Sequence, residues 1–224
     1  MTELRLIAGT ALAEAPPAVR LPPGRHGIPA DLVRAHQRLR LLEAAATALA
    51  EQGYGRLTAA RVTELAGVSS RTFYQHFEDL WTCLLAAYES EASRLCEEIE
   101  VACAALAEER GPVAEADRRG RARAGIGAAL GFLASEPAVA RLLSAEPPPQ
   151  IAALAAARRD LIERLGSMLR AVLSDSDGAT PLPGLERRLI GAALAMVSTR
   201  AASDDPRRLR ELEPELSELL LASL

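Results

Sequence analysis

A chain of 224 residues that is 49% hydrophobic but only 3% aromatic holds one large domain, or a small and a medium one, around an ordinary core. Alanine and leucine dominate it, which argues against strands and for an all-α fold, and no apolar run is long enough to span a bilayer. The net charge of −4 is unevenly spread: Arg20 to Phe77 carries eight arginines against four acids, whereas Glu78 onward carries 17 arginines against 24 acids. One end can face a polyanion that the other would repel.

All 26 basic residues are arginine, so a phosphate contact from a long cation must come from a guanidinium, which can bond bidentately. The three cysteines (Cys83, Cys96, Cys103) are odd in number and lack metal-ligand spacing to a histidine, as expected of a cytoplasmic protein. Leu6 to Ala13 is a short apolar run, but Glu3 and Arg5 cancel and leave no positive segment ahead of it. The run is therefore not read as a secretion signal.

In chain order, residues 1–29 hold Pro16-Pro17, Pro22-Pro23-Gly24, Gly27 and Pro29 and read as a flexible extension or arm. Asp31 offers an N-cap to a first helix, whose stripe is Ala35, Leu39, Leu42, Ala46 and Leu49 and whose stop is Gly53. Thr58 opens a second helix to Ala66, Gly67 breaks it, and Ser69 caps a third to about His76. A long fourth segment starts near Asp79 and runs to about Glu109, before Gly111-Pro112. Further helices are expected at about 117–135, 137–145, 149–174, 184–202 and 206–223, separated by proline- and glycine-rich stretches. The domain expectation is thus an arm (1–29), a helix-turn-helix domain (30–78) and a helical body (79–224).

The most informative run is Leu57 to Phe77, LTAARVTELAGVSSRTFYQHF. Two short helices meet at Gly67-Val68, where glycine supplies the backbone angle of the turn. Val62, Leu65, Val68 and Phe73 are placed to pack them against the first helix. Ser69, Ser70, Arg71, Thr72, Tyr74, Gln75 and His76 form a polar set on the third, which is the form of a helix-turn-helix reading the major groove. Hydroxyls, a tyrosine and helix N-termini can hold phosphate oxygens. Arg71 suits the O6/N7 edge of guanine and Gln75 suits adenine.

Thr58, Ala66-Gly67-Val68-Ser69, Thr72-Phe73-Tyr74 and His76-Phe77 match in register the pattern of the tetracycline-repressor (TetR) family, which this chain resembles from about Arg34 to Tyr88. The resemblance implies a DNA-binding regulator, a ligand-released repressor acting as a homodimer on a palindromic double-stranded operator. It implies phosphate contacts by Thr58, Ser69, Thr72, Tyr74 and His76, with Ser70, Arg71 and Gln75 facing bases. One departure is Leu80, which stands where the family usually has a lysine. Asp79 is expected to cap the fourth helix there, and Arg34, Arg38 or the arm residues Arg20, Arg25 and His26 to compensate on phosphate or minor groove.

Two apolar stripes near the C-terminus, Leu185, Leu189, Ala192, Ala193 and Met196, then Leu209, Leu212, Leu216 and Leu219, are expected either to pair two subunits in a four-helix bundle, as the resemblance implies, or to pack within their own subunit. The resemblance also implies a pocket for an unidentified small-molecule effector among the middle helices. Trp81, Tyr88, Cys103, Phe132 and Met168 are conceivable lining residues, each equally readable as plain core. Few aromatics point to an aliphatic or flexible ligand. Arg158-Arg159, beside Asp160 and Glu163, reads as a solvated helix face. Cys96 and Cys103 share a helix face but stand about 10 Å apart along the axis, beyond disulfide reach.

No catalytic constellation or metal site emerges. His26, His36 and His76 are scattered, and neither a nucleophile elbow nor a phosphate-cradling glycine loop is present. No cofactor, enzymatic activity or membrane partner is expected. The alternative from a different class is a helical adaptor of the same fold with weakened DNA binding, motivated by Leu80 and the acidic body.

Overall fold

The computed structural model describes residues 29–110, 115–173, 184–202 and 206–221, and every regular element among them is helical. Residues 1–28 of the expected arm, with Arg20, Arg25 and His26, lie outside the described residues, as does Gly111-Pro112. The chain divides into two compact units between Ala87 and Tyr88.

In the first unit α1 spans Ala30–Gln52. Asp31 does not cap it: the helix opens after Pro29, whose carbonyl accepts Val33 N–H at 3.2 Å, and Asp31 sits inside the first turn. Gly53, at φ 67°, ends the helix and donates to Leu49 O at 2.8 Å. Leu42, Ala46 and Leu49 are buried as the stripe requires, together with Leu41, Ala45 and Ala48. Ala35 and Leu39 are exposed and His36 is buried in their stead. The departure is confined to the first turns of α1, and the stripe holds from Leu42 onward.

Helix α2 (Ala59–Ala66) begins at Thr58, whose hydroxyl oxygen accepts Arg61 N–H at 3.2 Å. It ends at Gly67, left-handed at φ 60°, ψ 37°. Gly67 and Val68 N–H groups then satisfy Glu64 and Thr63 carbonyls at 3.1 Å each, the glycine C-terminus expected of a sharp turn. Helix α3 (Ser70–His76) follows, with Ser69 Oγ accepting Thr72 N–H at 3.0 Å. Val62 and Phe73 are fully buried, and Arg61 ties α2 to Glu51 of α1 at 2.8 Å while pairing within α2 with Glu64 at 2.9 Å. Asp79 caps α4 (Leu80–Arg110) as expected, its Oδ1 accepting Thr82 N–H at 2.7 Å.

The second unit holds the rest of α4 with α5 (Glu115–Ser135), α6 (Pro137–Ser144), α7 (Ala152–Leu173) and α8 (Leu185–Ala201), then a 3-10 helix (Pro206–Leu212) and α9 (Glu213–Leu221). The single helix expected over 206–223 is therefore two elements. Pro214 has no N–H to continue an α-helical ladder back to Arg210, so the segment changes register there. Helix α7 starts later than 149 because the Pro147-Pro148-Pro149 run ends in a turn, with Ile151 N–H on Pro148 O at 2.9 Å. Helix α5 packs on the 3-10 helix, α7 and α9, while α8 packs on α6 and α7, around a core that includes Leu130, Leu142, Leu154, Leu161 and Leu209.

Arg94 joins Glu136 and Glu91, each at 2.6 Å, with its guanidinium 5.0 Å from the Phe132 ring centre. Arg158 corrects its expected place on a solvated face. Arg159 is exposed, but Arg158 is buried and paired with Glu146 at 3.2 Å, its aliphatic stem covered by core as long cationic stems often are. No single described helix is long and apolar enough to cross a membrane.

Candidate functional site

Helix α3 is short, and its two faces differ sharply. Phe73 is fully buried, with Phe77 beneath the helix end at 6.0 Å between ring centres. Ser70, Arg71, Tyr74 and Gln75 are exposed on the opposite side, Tyr74 at 62%. Spacings of one and four residues place these four on one helical face. The buried phenylalanines fix which face is presented, so the polar residues are displayed because the apolar ones are anchored.

Thr58, Ser69 and Thr72 are partly committed inside the chain. Thr58 and Ser69 cap α2 and α3, and Ser69 Oγ also lies 2.9 Å from Thr72 Oγ1. Their hydroxyls retain accepting and donating capacity, since each holds more sites than these contacts use.

His76 closes α3 and is half-buried. Its Nε2 lies 3.5 Å from Gln37 Oε1 of α1. Burial, then the nearby charges of Arg34 and Arg38, hold its pKa below the ordinary histidine value. Both arginines are exposed on α1, and Arg38 lies 5.4 Å from the Phe77 ring centre. The structure thus gathers two guanidiniums and an imidazole beside the polar face of α3. Leu80, the first residue of α4, is half-buried and adds no charge there. Gln37 was not singled out in the sequence, because a glutamine on a helix carries no local signal of a long-range partner.

The second unit encloses a cavity of about 380 Å³ between α4, α5, α7, α8 and α9, within the range of small-molecule sites. Cys103 and Met168 line it as anticipated; Trp81, Tyr88 and Phe132 do not. Trp81 belongs to the first unit and is partly exposed. Tyr88 is buried, with its hydroxyl donating to Leu143 O at 3.4 Å, and Phe132 packs under Arg94. The walls are aliphatic, with Leu95 and Ile99 on α4 and Leu165 and Leu169 on α7. Among the described lining residues Glu100 is the one charged side chain. At Gly125 a side chain would meet Cys103 Sγ at 3.0 Å and Ile99 Cγ2 at 3.2 Å, so glycine is what lets α5 approach α4 at this wall.

Residues 41–79 match the family model described as bacterial regulatory proteins, tetR family. The match covers α2 and α3, the helix-turn-helix of this chain. Among solved structures, the fatty acid degradation regulator FadR from Bacillus halodurans is similar at 15% identity and a TM-score of 0.65, over 83% of this chain and 94% of that one. FadR from Bacillus subtilis, solved in complex with stearoyl-CoA, is similar at 15% identity and a TM-score of 0.61, over 83% and 98%. A TetR-like transcriptional regulator from Rhodococcus sp. RHA1 gives 17% identity and a TM-score of 0.59, over 90% and 96%. At such identities the likeness is one of fold. No protein of curated function matches the chain in sequence.

The C-terminal apolar stripes divide in the structure. Leu189, Leu209, Leu212 and Leu216 are buried within the single chain. Ala193 faces the cavity. Ala192 is exposed, and Leu185, Met196 and Leu219 are partly so. Apolar periodicity marks a face that must be covered; it does not say by which chain.

The cysteines are free thiols. Burial pushes Cys83 up to about 12 and raises Cys96 and Cys103 as well, which is the opposite of the thiolate character that a redox sensor needs. Among the described residues no group of three or more His, Cys, Asp or Glu is placed to hold a metal ion.

Proposed function

We propose that this protein is a cytoplasmic, sequence-specific transcriptional repressor that binds a palindromic operator as a homodimer and releases it when a small aliphatic effector enters the cavity of its second unit. The observation that carries the reading is the display of Ser70, Arg71, Tyr74 and Gln75 on the face of α3 opposite Phe73. Arg71 and Gln75 read base edges. Tyr74, Thr58, Ser69, Thr72 and His76 set the register on phosphates, as contacts of this kind do. Arg34 and Arg38, beside His76, supply the phosphate charge that Leu80 does not.

Exposed Ala192, with the partly exposed Leu185, Met196 and Leu219, forms the subunit contact on this reading. The aliphatic cavity, and the stearoyl-CoA complex of a protein of similar fold, support an effector with a long apolar part. Release requires that the effector bind one dimer geometry better than the other, because equal affinity shifts nothing.

The test is a binding titration of the full chain on its own upstream DNA across a salt series. A logarithmic fall of affinity with salt, together with protection of a two-fold symmetric site, is expected. Salt-insensitive or undetectable binding to every duplex would favour the adaptor reading.

A further inference from the structure

We propose that the cavity of the second unit selects an aliphatic molecule whose single polar head can donate a hydrogen bond and carries no negative charge, such as a long-chain alcohol or alkylammonium, in preference to a fatty carboxylate. This rests on the reading of the cavity as the effector site and names the chemistry of its ligand.

Three observations on the lining lead there. First, apart from Glu100 and Cys103, the described lining residues are leucine, isoleucine, valine, methionine, alanine and glycine. Such walls exclude water and reward an aliphatic body, but offer a polar head no side-chain partner. Second, Glu100 lines the cavity and is also exposed to solvent, so it stands at an opening where a head group would rest. It neighbours Ile99 and is one turn from Cys103 on α4, both of which face the cavity. Its carboxylate accepts hydrogen bonds and donates none, and it raises the free energy of a second carboxylate brought beside it.

Third, no arginine or histidine is among the described lining residues. Arg121 is the cation to consider, because its charge reaches the Cys103 thiol. It contributes no lining residue, and its Nε is buried without a hydrogen-bond partner. Among the described lining residues, a head group held at the opening therefore meets one carboxylate and no cation.

Isothermal titration of the full chain at pH 7.5 with dodecanol, dodecylammonium and dodecanoate, each below its aggregation concentration, decides the matter. The expected result is saturable binding of the alcohol, the ammonium or both, with dodecanoate weaker by about tenfold or more, a gap of about 1.4 kcal/mol. Glu100→Gln should raise dodecanoate affinity and lower that of dodecylammonium, because the negative charge at the opening is gone. Dodecanoate binding as tightly as the other two, or more tightly with the preference lost in Arg121→Gln, overturns the proposal while keeping the cavity as a binding site. Failure of all three to bind overturns the effector reading and the proposal with it.

Discussion

His76 Nε2 stands 3.5 Å from Gln37 Oε1, joining the end of α3 to α1 at a point flanked by Arg34 and Arg38. In the free protein this imidazole is held neutral at pH 7, because burial and two guanidiniums disfavour its charge. A phosphate seated among these groups reverses the balance and favours the protonated ring. DNA affinity at fixed salt should therefore rise as pH falls from 8 to 6, with a slope of at most about tenfold per pH unit, the limit for uptake of one proton. His76→Gln should flatten the slope. A slope that survives the substitution would place the proton elsewhere.

Arg71 and Tyr74 share the exposed face of α3 but are assigned different tasks. Arg71→Ala should relax base preference at one operator position by about 1–3 kcal/mol of discrimination, whereas Tyr74→Phe should weaken all sequences alike. Selection from random duplexes, followed by titration of the winners, separates the two. If Arg71→Ala altered neither preference nor affinity, the base-reading role would be wrong.

Gly67 adopts φ 60° and ψ 37°. Gly67→Ala should cost about 1–2 kcal/mol, the penalty of a side chain in the left-handed region, with Gly67→Asn milder because asparagine tolerates that region better. Thermal melts of the two variants check the order. Equal melting temperatures for both and for the parent would mean that the turn relaxes freely.

These local signals were legible in the sequence because each acts over four residues or fewer. Thr58, Ser69 and Asp79 cap the backbone a few positions on, and Gly67 determines its own dihedral angle. What escaped the sequence depends on distant partners. Ala35 and Leu39 fit the stripe of α1 by spacing but are exposed, because periodicity does not say where the covering core ends. Leu209, Leu212 and Leu216 form a stripe that the chain's own core absorbs, and nothing in a stripe identifies its cover. Tyr88 and Phe132 looked as fit to line a cavity as Met168, since large residues at helical spacing serve cavity wall and packed core alike. Glu100 offers no sign in the sequence, because its place as the one charge among the described lining residues depends on side chains drawn from several helices.

His36 is buried with neither ring nitrogen hydrogen-bonded. Burial, and after it the charge of Arg40, lowers its pKa. Below about pH 6.5, the ordinary histidine value, the unfolded chain takes up a proton that the folded chain resists. The stability contributed by neutral His36 is therefore intact above that pH and declines as acid carries it toward the folded-state pKa. His36→Leu should remove this part of the acid sensitivity and leave stability at pH 7.5 equal or higher, because two unpaired buried nitrogens disappear. Urea unfolding at pH 7.5 and 5.5 reads the difference; an unchanged acid loss in the variant would assign the effect to another group.

Gly125 and Cys103 meet at the cavity wall. Gly125→Ala should destabilise the chain, and Cys103→Ala in the same background should recover part of the loss by removing the 3.0 Å conflict. The coupling expected of touching residues is about 0.5–3 kcal/mol, measured as a double-mutant cycle by denaturant unfolding. Additive losses would mean that the sulfur moves aside without cost.

The start of α4 bears on how the protein shares itself among genomic sites. Glu78 and Asp79 stand exposed ahead of Leu80, where a cation would have neutralised a phosphate. On the proposed reading, a phosphate contact missing at Leu80 and not replaced by Arg34 or Arg38 takes about 0.9 from the salt exponent of binding and weakens attachment to arbitrary sequence along with it. Random chromosomal DNA would then be a poorer sink. A larger fraction of a small pool of molecules would stay free to sample the genome, and occupancy would depend more on what Arg71 and Gln75 recognise than on how much DNA surrounds it.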